Sequence, residues 1–153
     1  MKKRVFLFED SQWFAEDARR FLETGGFEVE WAADGNAAYG LMQRAIKGEI
    51  PMPDAIITDV NMPAYDIALA IPHMRTHFPG VPVLVQSGSY SDPDMQTFIN
   101  KLEPDIFMPP NEADFAREVN KQLAKKQAAG ELGEKQGPDR FINPDKGKGR
   151  EQP

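Results

Sequence analysis

Acidic side chains at the ends of two predicted strands are the residues best suited to chemistry. Glu9 and Asp10 directly follow the apolar run at residues 5–8, and Asp59 comes soon after the apolar run at residues 55–57. Short apolar runs closed by polar or turn residues are typical of buried strands. Open parallel sheets bind ligands in the crevice beyond the carboxyl ends of their strands, so we expect the three acids to converge there.

Three carboxylates in one crevice repel one another, and burial makes each of them harder to ionise. A divalent cation would relieve that repulsion, and hard oxygen ligands favour Mg²⁺. The sequence therefore predicts a magnesium site formed by Glu9, Asp10 and Asp59. The alternative is that Glu9 and Asp10 are ordinary loop or cap residues, because such acids are common before helices.

The elements that must position these acids alternate between strands and helices, the pattern of βαβ units in a parallel sheet. We expect a doubly wound α/β fold with strand order 2-1-3-4-5 and helices on both faces. Ser11 is predicted to cap the first helix. Pro72 cannot donate a backbone hydrogen bond, which predicts a kink or a late start in the third helix. The strands are expected at residues 4–8, 27–31, 55–59, 81–85 and 105–108, and the last helix at about 113–126.

Composition excludes several classes of function. The net charge of -6 argues against a nucleic-acid-binding surface, and the absence of cysteine excludes disulfides and thiolate chemistry. No apolar run is long enough for a signal peptide or a membrane span, so a soluble cytoplasmic protein without membrane contacts is the default expectation. Residues 1–127 are predicted to form one domain. Residues 128–153 are rich in glycine and proline and poor in bulky apolar residues, which predicts a disordered tail.

Several short motifs follow one another in an informative order. They are the acidic pair at 9–10, Ala-Asp-Gly at 33–35, Asp-Val-Asn-Met-Pro at 59–63, Ser-Gly at 87–88, and a proline-containing end to the fifth strand. In this order, at the ends of the right strands, they resemble the response-regulator receiver domain of two-component signalling. The resemblance covers about residues 3–127 and implies a flavodoxin-like fold.

The resemblance also implies a role for each matching residue. Asp59 would accept a phosphoryl group from a histidine kinase or phosphotransfer protein. Asp10 would bind Mg²⁺ directly, Glu9 mostly through water, and Asn61 through its backbone carbonyl. Ser87 would donate a hydrogen bond to the phosphoryl group. Such a module turns over no separate substrate and signals through protein contacts, here expected on the face of the fourth helix, fifth strand and fifth helix. The sequence leaves both monomer and homodimer open.

The sequence departs from the family pattern in three places. Pro109 stands where the family has a lysine that pairs with the aspartate or the phosphoryl oxygens. Ile106 stands at the usual aromatic position, and strand alternation predicts that the neighbouring Phe107 points to the opposite side. The glycine expected a few residues past Pro63 is absent.

These departures leave two hypotheses open. In the first, Asp59 is phosphorylated but its coupling to output is altered. In the second, the chain is a pseudo-receiver that acts by phosphorylation-independent contacts. Retention of the acids and of Ser87 favours the first. A haloacid-dehalogenase-like phosphatase is a weaker alternative, because that chemistry needs a second acid two residues after the nucleophile, where this chain has Asn61.

Overall fold

The computed structural model describes the backbone of residues 1–142 and the side chains of residues 1–130. A first compact unit, Met1–Leu123, contains the whole sheet, and a second unit begins at Ala124. In chain order the elements are β1 (Lys3–Phe8), α1 (Gln12–Thr24), β2 (Phe27–Ala32), α2 (Gly35–Ile46), β3 (Ala55–Asp59), α3 (Ile67–His77), β4 (Val83–Gln86), α4 (Pro93–Lys101), β5 (Ile106–Met108), a short 3₁₀ turn (Glu112–Asp114) and α5 (Phe115–Ile142).

The sheet has five parallel strands in the order β2-β1-β3-β4-β5, so the predicted fold class and strand order are confirmed. The pairing of Phe8 with Thr58 brings the ends of β1 and β3 to the same edge. Asp59 in turn pairs with Gln86, the last residue of β4. The residues that follow these strands therefore share one crevice.

Apolar side chains cover both faces of the sheet, because successive strand residues point to opposite sides. Phe6 and Phe8 pack with residues of α2, α3 and α4. Val5 and Leu7 pack on the other face with residues of α1 and the first turns of α5. All four of these β1 side chains are fully buried. The strand ends that carry the acids are thus held by packing from both sides.

Helix caps fix the loops at the carboxyl edge of the sheet. Ser11 Oγ accepts the backbone N–H of Phe14 at 3.3 Å, as predicted, and begins α1 directly after the acidic pair. Asp34 caps α2 in the same way, accepting the N–H of Ala37 at 2.7 Å. Each cap satisfies a backbone donor that the first turn of a helix leaves without a partner.

The structure differs from the sequence prediction in three places. Helix α3 begins at Ile67 and contains Pro72, so the late start suggested by this proline is wrong. Strand β4 begins two residues later than predicted, at Val83, and ends one residue later, at Gln86. Helix α5 passes the expected end near residue 126 and continues to Ile142, through residues for which composition predicted disorder. The remaining tail residues, 143–153, lie outside the described residues, and the division into domain and tail stays a prediction.

Gly35 permits a close contact between the start of α2 and the loop after β3. Its N–H donates to the carbonyl of Pro63 at 2.8 Å. A Cβ added at this glycine would lie 1.7 Å from the carbonyl oxygen of Ala64, a backbone atom that only a shift of the whole loop could move. The loop that follows Asp59 can therefore pack against the start of α2 only because residue 35 has no side chain.

We predict that Gly35→Ala lowers the free energy of unfolding by about 1–3 kcal/mol, the usual effect of forcing a methyl group into packed structure. Urea denaturation at equilibrium measures this change. Gly40→Ala in the same helix is the control, because nothing lies within 4 Å of its added Cβ. That substitution should stabilise the protein by up to about 1 kcal/mol. Equal stability of Gly35→Ala and the parent would contradict the close contact.

Candidate functional site

The structure brings the three predicted acids together. Glu9, Asp10 and Asp59 each offer a carboxylate oxygen, and these oxygens all lie within 4.8 Å of one another. Glu9 is buried, Asp59 is partly buried and Asp10 is exposed, so the cluster opens to solvent on the side of Asp10. The predicted convergence at the carboxyl edge is therefore present in the fold.

Glu9 is held by four hydrogen bonds. Its Oε2 accepts the backbone N–H of Ser11 at 2.9 Å, and its Oε1 accepts Nε2 of Gln86 at 2.7 Å. Its own N–H donates to the carbonyl of Ala32 at 3.0 Å, and its carbonyl accepts Nε1 of Trp31 at 2.8 Å. Both the main chain and the carboxylate of this acid are therefore fixed, by contacts from β2, β4 and the loop before α1.

Asp59 is oriented by the loop that follows it. Its Oδ1 accepts the N–H of Val60 at 2.7 Å, and the N–H of Asn61 also bonds to the carboxylate. The buried hydroxyl of Thr58 donates to the carbonyl of Asp59 at 2.9 Å. Since that bond uses the Thr58 proton, the Tyr65 hydroxyl, 2.7 Å away, is the donor to Thr58 Oγ1. The loop to α3 thus anchors the backbone of Asp59 as well as its carboxylate.

Burial and mutual repulsion make two of the acids harder to ionise. Burial raises the pKa of Glu9 to about 7, with the charges of Asp59 and Asp10 adding to the effect and the bonds from Ser11 and Gln86 opposing it. Burial likewise raises the pKa of Asp59 to about 6, and Asp10 adds to that shift while the N–H groups of the following loop oppose it. A cation bound here would offset the repulsion.

The residues present fit a magnesium ion. The cluster supplies carboxylate oxygens, which are hard ligands, and its open side leaves room for water molecules. Mg²⁺ binds proteins through one or two carboxylates and keeps several of its waters, whereas softer metals prefer nitrogen or sulfur. The described part of the chain therefore holds a donor set suited to Mg²⁺.

Two further predicted site residues lie in loops at the same edge. Ser87 is buried and follows Gln86, the partner of Asp59 in the β3–β4 pairing. Its Oγ accepts the N–H of Ser89 at 2.9 Å, which leaves the hydroxyl proton for another acceptor. Asn61 is exposed in the loop two residues after Asp59.

Two of the three departures from the family pattern lie on β5 and just beyond it. Pro109 directly follows the strand, is exposed, and has neither an ammonium group nor a backbone N–H. Ile106 packs with the α1 and α5 side, whereas Phe107 packs with the other cluster, so the predicted alternation is confirmed. The ring of Phe107 contacts Tyr90 in the loop before α4, with centroids 5.1 Å apart.

Sequence reasoning missed Gln86 and Trp31. The predicted fourth strand stopped at residue 85, so Gln86 counted as a loop residue, whereas it is buried at the end of β4. Trp31 was seen only as part of an alternating edge strand, although its indole reaches the Glu9 carbonyl. The available signal for Gln86 was its position in the sequence. It is a polar residue that ends an otherwise apolar run and directly precedes Ser87.

The sequence matches the family model described as the response regulator receiver domain, over residues 5–108. Response regulator MprA of Mycolicibacterium vanbaalenii is 32% identical over 85 residues, which make up 56% of this chain and 34% of that protein. Transcriptional regulatory protein PrrA of Mycobacterium bovis is 34% identical over 91 residues, or 60% of this chain and 36% of that protein. The chain thus spans about a third of the length of these relatives.

Solved structures show the same fold. A CheY-like response regulator receiver domain protein from Methanospirillum hungatei has a TM-score of 0.71 at 18% identity, covering 84% of this chain and 99% of that one. Chemotaxis response regulator CheY4 of Vibrio cholerae has a TM-score of 0.62 at 21% identity, covering 80% and 99%. Among the described residues, no helix combines the length and apolar character needed to cross a bilayer. The family match, the strand order and the acidic cluster agree, and the chain belongs to the response regulator receiver domain family.

Proposed function

We propose that this chain is a phosphoacceptor signalling module in which Asp59 receives a phosphoryl group from a histidine kinase or phosphotransfer protein. Receiver domains are signalling modules of two-component systems and turn over no separate substrate. The observation that carries the proposal is the placement of Asp59 within 4.8 Å of Glu9 and Asp10 at the carboxyl edge of the sheet. That cluster supplies both a nucleophile and a site for the cation that phosphoryl transfer needs.

The transfer step is a displacement at phosphorus. A carboxylate oxygen of Asp59 forms a bond to the phosphorus atom, the bond between phosphorus and the donor breaks, and its electron pair leaves with the donor group. The N–H groups of Val60 and Asn61 hold the attacking carboxylate in place. Mg²⁺ held by the acidic cluster would neutralise charge on the oxygens involved. Ser87, with its hydroxyl proton available, is the donor to a phosphoryl oxygen.

Differences in exposure and in hydrogen bonding indicate which acids would bind the metal directly and which would bind it through water. Asp10 is exposed and would be the direct carboxylate ligand together with Asp59. Both oxygens of Glu9 already accept hydrogen bonds, from Ser11 and Gln86, which supports a role for Glu9 through a metal-bound water. The backbone carbonyl of Asn61 completes the proposed ligands.

Output is proposed to pass through protein contacts on the face of α4, β5 and α5. On this face the Tyr90–Phe107 ring contact joins the loop that carries Ser87 to the edge strand. Because Pro109 supplies no ammonium, the phosphoryl charge has no partner from the end of β5. Pro109 also favours the second candidate function, a pseudo-receiver whose contacts do not depend on phosphorylation.

Phosphorylation of Asp59 separates the two functions. We expect the parent protein, incubated with Mg²⁺ and a small acyl phosphate, to gain one phosphoryl group that is stable in acid and lost in base. Asp59→Asn should abolish that mass gain, because an amide is not a nucleophile toward phosphorus. Intact-protein mass spectrometry measures both results. Asp34→Asn is the control, since Asn caps helices as well as Asp does. An unmodified parent, or an adduct that persists in Asp59→Asn, would contradict the proposal.

Magnesium binding should weaken as the pH falls. Protons compete with the cation for Glu9 and Asp59, whose pKa values are raised to about 7 and about 6. Binding is therefore strongest above pH 7, and we expect the dissociation constant to rise about tenfold from pH 8 to pH 6. Isothermal titration calorimetry measures this change.

Glu9→Gln tests which group is responsible for the pH dependence. This variant removes the acid with the higher pKa, so its affinity for Mg²⁺ should stay nearly constant down to pH 7 and fall only below that. A parent protein whose affinity is the same at pH 8 and pH 6 would contradict competition between protons and the cation at these two carboxylates.

A further inference from the structure

Gln86 is a buried amide that none of the roles above accounts for. It is only 2% exposed, at the end of a strand whose other residues are apolar and buried. Burying an amide is unfavourable unless its polar atoms find hydrogen-bond partners. Nε2 of Gln86 donates to Oε1 of Glu9 at 2.7 Å, a buried bond between residues 77 positions apart in the chain.

We propose that Gln86 is a positioning residue for the cation site. This proposal rests on the proposed function, because the cation would serve phosphoryl transfer. Its amide fixes one carboxylate oxygen of Glu9 while the N–H of Ser11 fixes the other. With both oxygens held, the carboxylate plane of Glu9 cannot turn. Carboxylates and imidazoles at metal sites are commonly oriented by such partners, and losing a partner usually weakens metal binding.

The place of Gln86 in the sheet explains how it can have this effect. Strands β1 and β4 are not neighbours, because β3 lies between them. Gln86 pairs through its backbone with Asp59, and its side chain reaches past the end of β3 to Glu9. This contact ties together the ends of three strands around Asp59. The next residue is Ser87, the proposed hydrogen-bond donor to the phosphoryl group. Both residues therefore lie at the same end of the sheet.

The position also bears on the missing lysine. Pro109 offers neither a side-chain donor nor a backbone N–H at the end of the next strand. Gln86 supplies a neutral donor to Glu9 from β4, and unlike an ammonium it brings no positive charge that would repel a cation. The acidic cluster is therefore oriented by an amide and left negative, which suits binding of Mg²⁺.

Magnesium titration of Gln86→Met tests the assignment. Methionine has nearly the same length and volume but donates no hydrogen bond, so the core stays filled while Glu9 loses one partner. We expect the Mg²⁺ dissociation constant at pH 8, measured by calorimetry without a phosphodonor, to rise about tenfold. Gln122→Met is the matched control, because Gln122 is also a buried glutamine but lies on α5. That variant should bind Mg²⁺ as the parent does.

Phosphorylation kinetics distinguish positioning from a merely structural role. In Gln86→Met the Mg²⁺ concentration that gives half the maximal rate should rise about tenfold, while the rate at saturating Mg²⁺ stays at the parental level. A general loosening of the fold would instead lower the saturating rate and the melting temperature. If Gln86→Met does not fold, Gln86→Asn replaces it, since the shorter amide cannot span the distance to Glu9.

The assignment is overturned if Gln86→Met binds Mg²⁺ within about twofold of the parent, if Gln122→Met weakens binding equally, or if the parent binds no Mg²⁺. Failure of the proposed function gives a different result. If Asp59 forms no adduct but Gln86→Met still weakens Mg²⁺ binding, the phosphoacceptor proposal fails and the role of Gln86 stands.

Discussion

Repulsion among carboxylates at one edge of the sheet is the interaction on which the rest of the site depends. The parallel pairing of β1 with β3 leaves Glu9, Asp10 and Asp59 with oxygens within 4.8 Å of one another. The folded protein relieves this repulsion either by keeping protons on Glu9 and Asp59 or by binding a cation. Burial, with this repulsion adding to it, raises the pKa values of Glu9 and Asp59 to about 7 and about 6 and so disfavours their ionisation. The closeness of the carboxylates therefore contributes to the raised pKa values and would also attract a cation.

A network of neutral donors holds this charged cluster in shape. Glu9 is fixed by Ser11, Gln86 and the indole of Trp31, and Asp59 is fixed by the N–H groups that follow it. The bonds to the two carboxylates favour their ionised forms without adding a positive charge, and the indole of Trp31 fixes the backbone carbonyl of Glu9. The cluster thus keeps a defined geometry while staying attractive to Mg²⁺. A lysine in the same crevice would have neutralised part of that charge, so its replacement by Pro109 shifts the balance toward the metal.

The sequence could predict the frame of the site because a few strong signals determine it. Apolar runs at residues 5–8 and 55–57, closed by polar or turn residues, are typical of buried strands, and in a parallel sheet the acids after them are expected at the same sheet edge. Gln86 could not be placed, because whether a polar residue closes a strand or opens a loop depends on its partners. Its partner Glu9 lies 77 residues away and is brought near by β3. Helix α3 accommodates Pro72, although this residue suggested a late start, because packing of Ile71 and Met74 into the core supports the turn around it.

A lysine at the end of β5 would have two functions. Its ammonium would bind the phosphoryl group, and it would also link that group to the edge strand. Pro109 has no ammonium and provides neither. In this chain we assign the first, binding the phosphoryl group, to Ser87 in the loop after β4 and to Mg²⁺ that Asp10, after β1, and Asp59, at the end of β3, would hold. The second falls to the loop after β4, in which Ser89 bonds to Ser87 and Tyr90 contacts Phe107 of β5. Any movement of Ser87 toward a phosphoryl group would therefore reach β5 through an aromatic contact rather than through an ion pair. Aromatic contacts are short-ranged and depend on shape, so under the proposed function the output would depend on packing at the edge of the sheet more than on charge in the crevice.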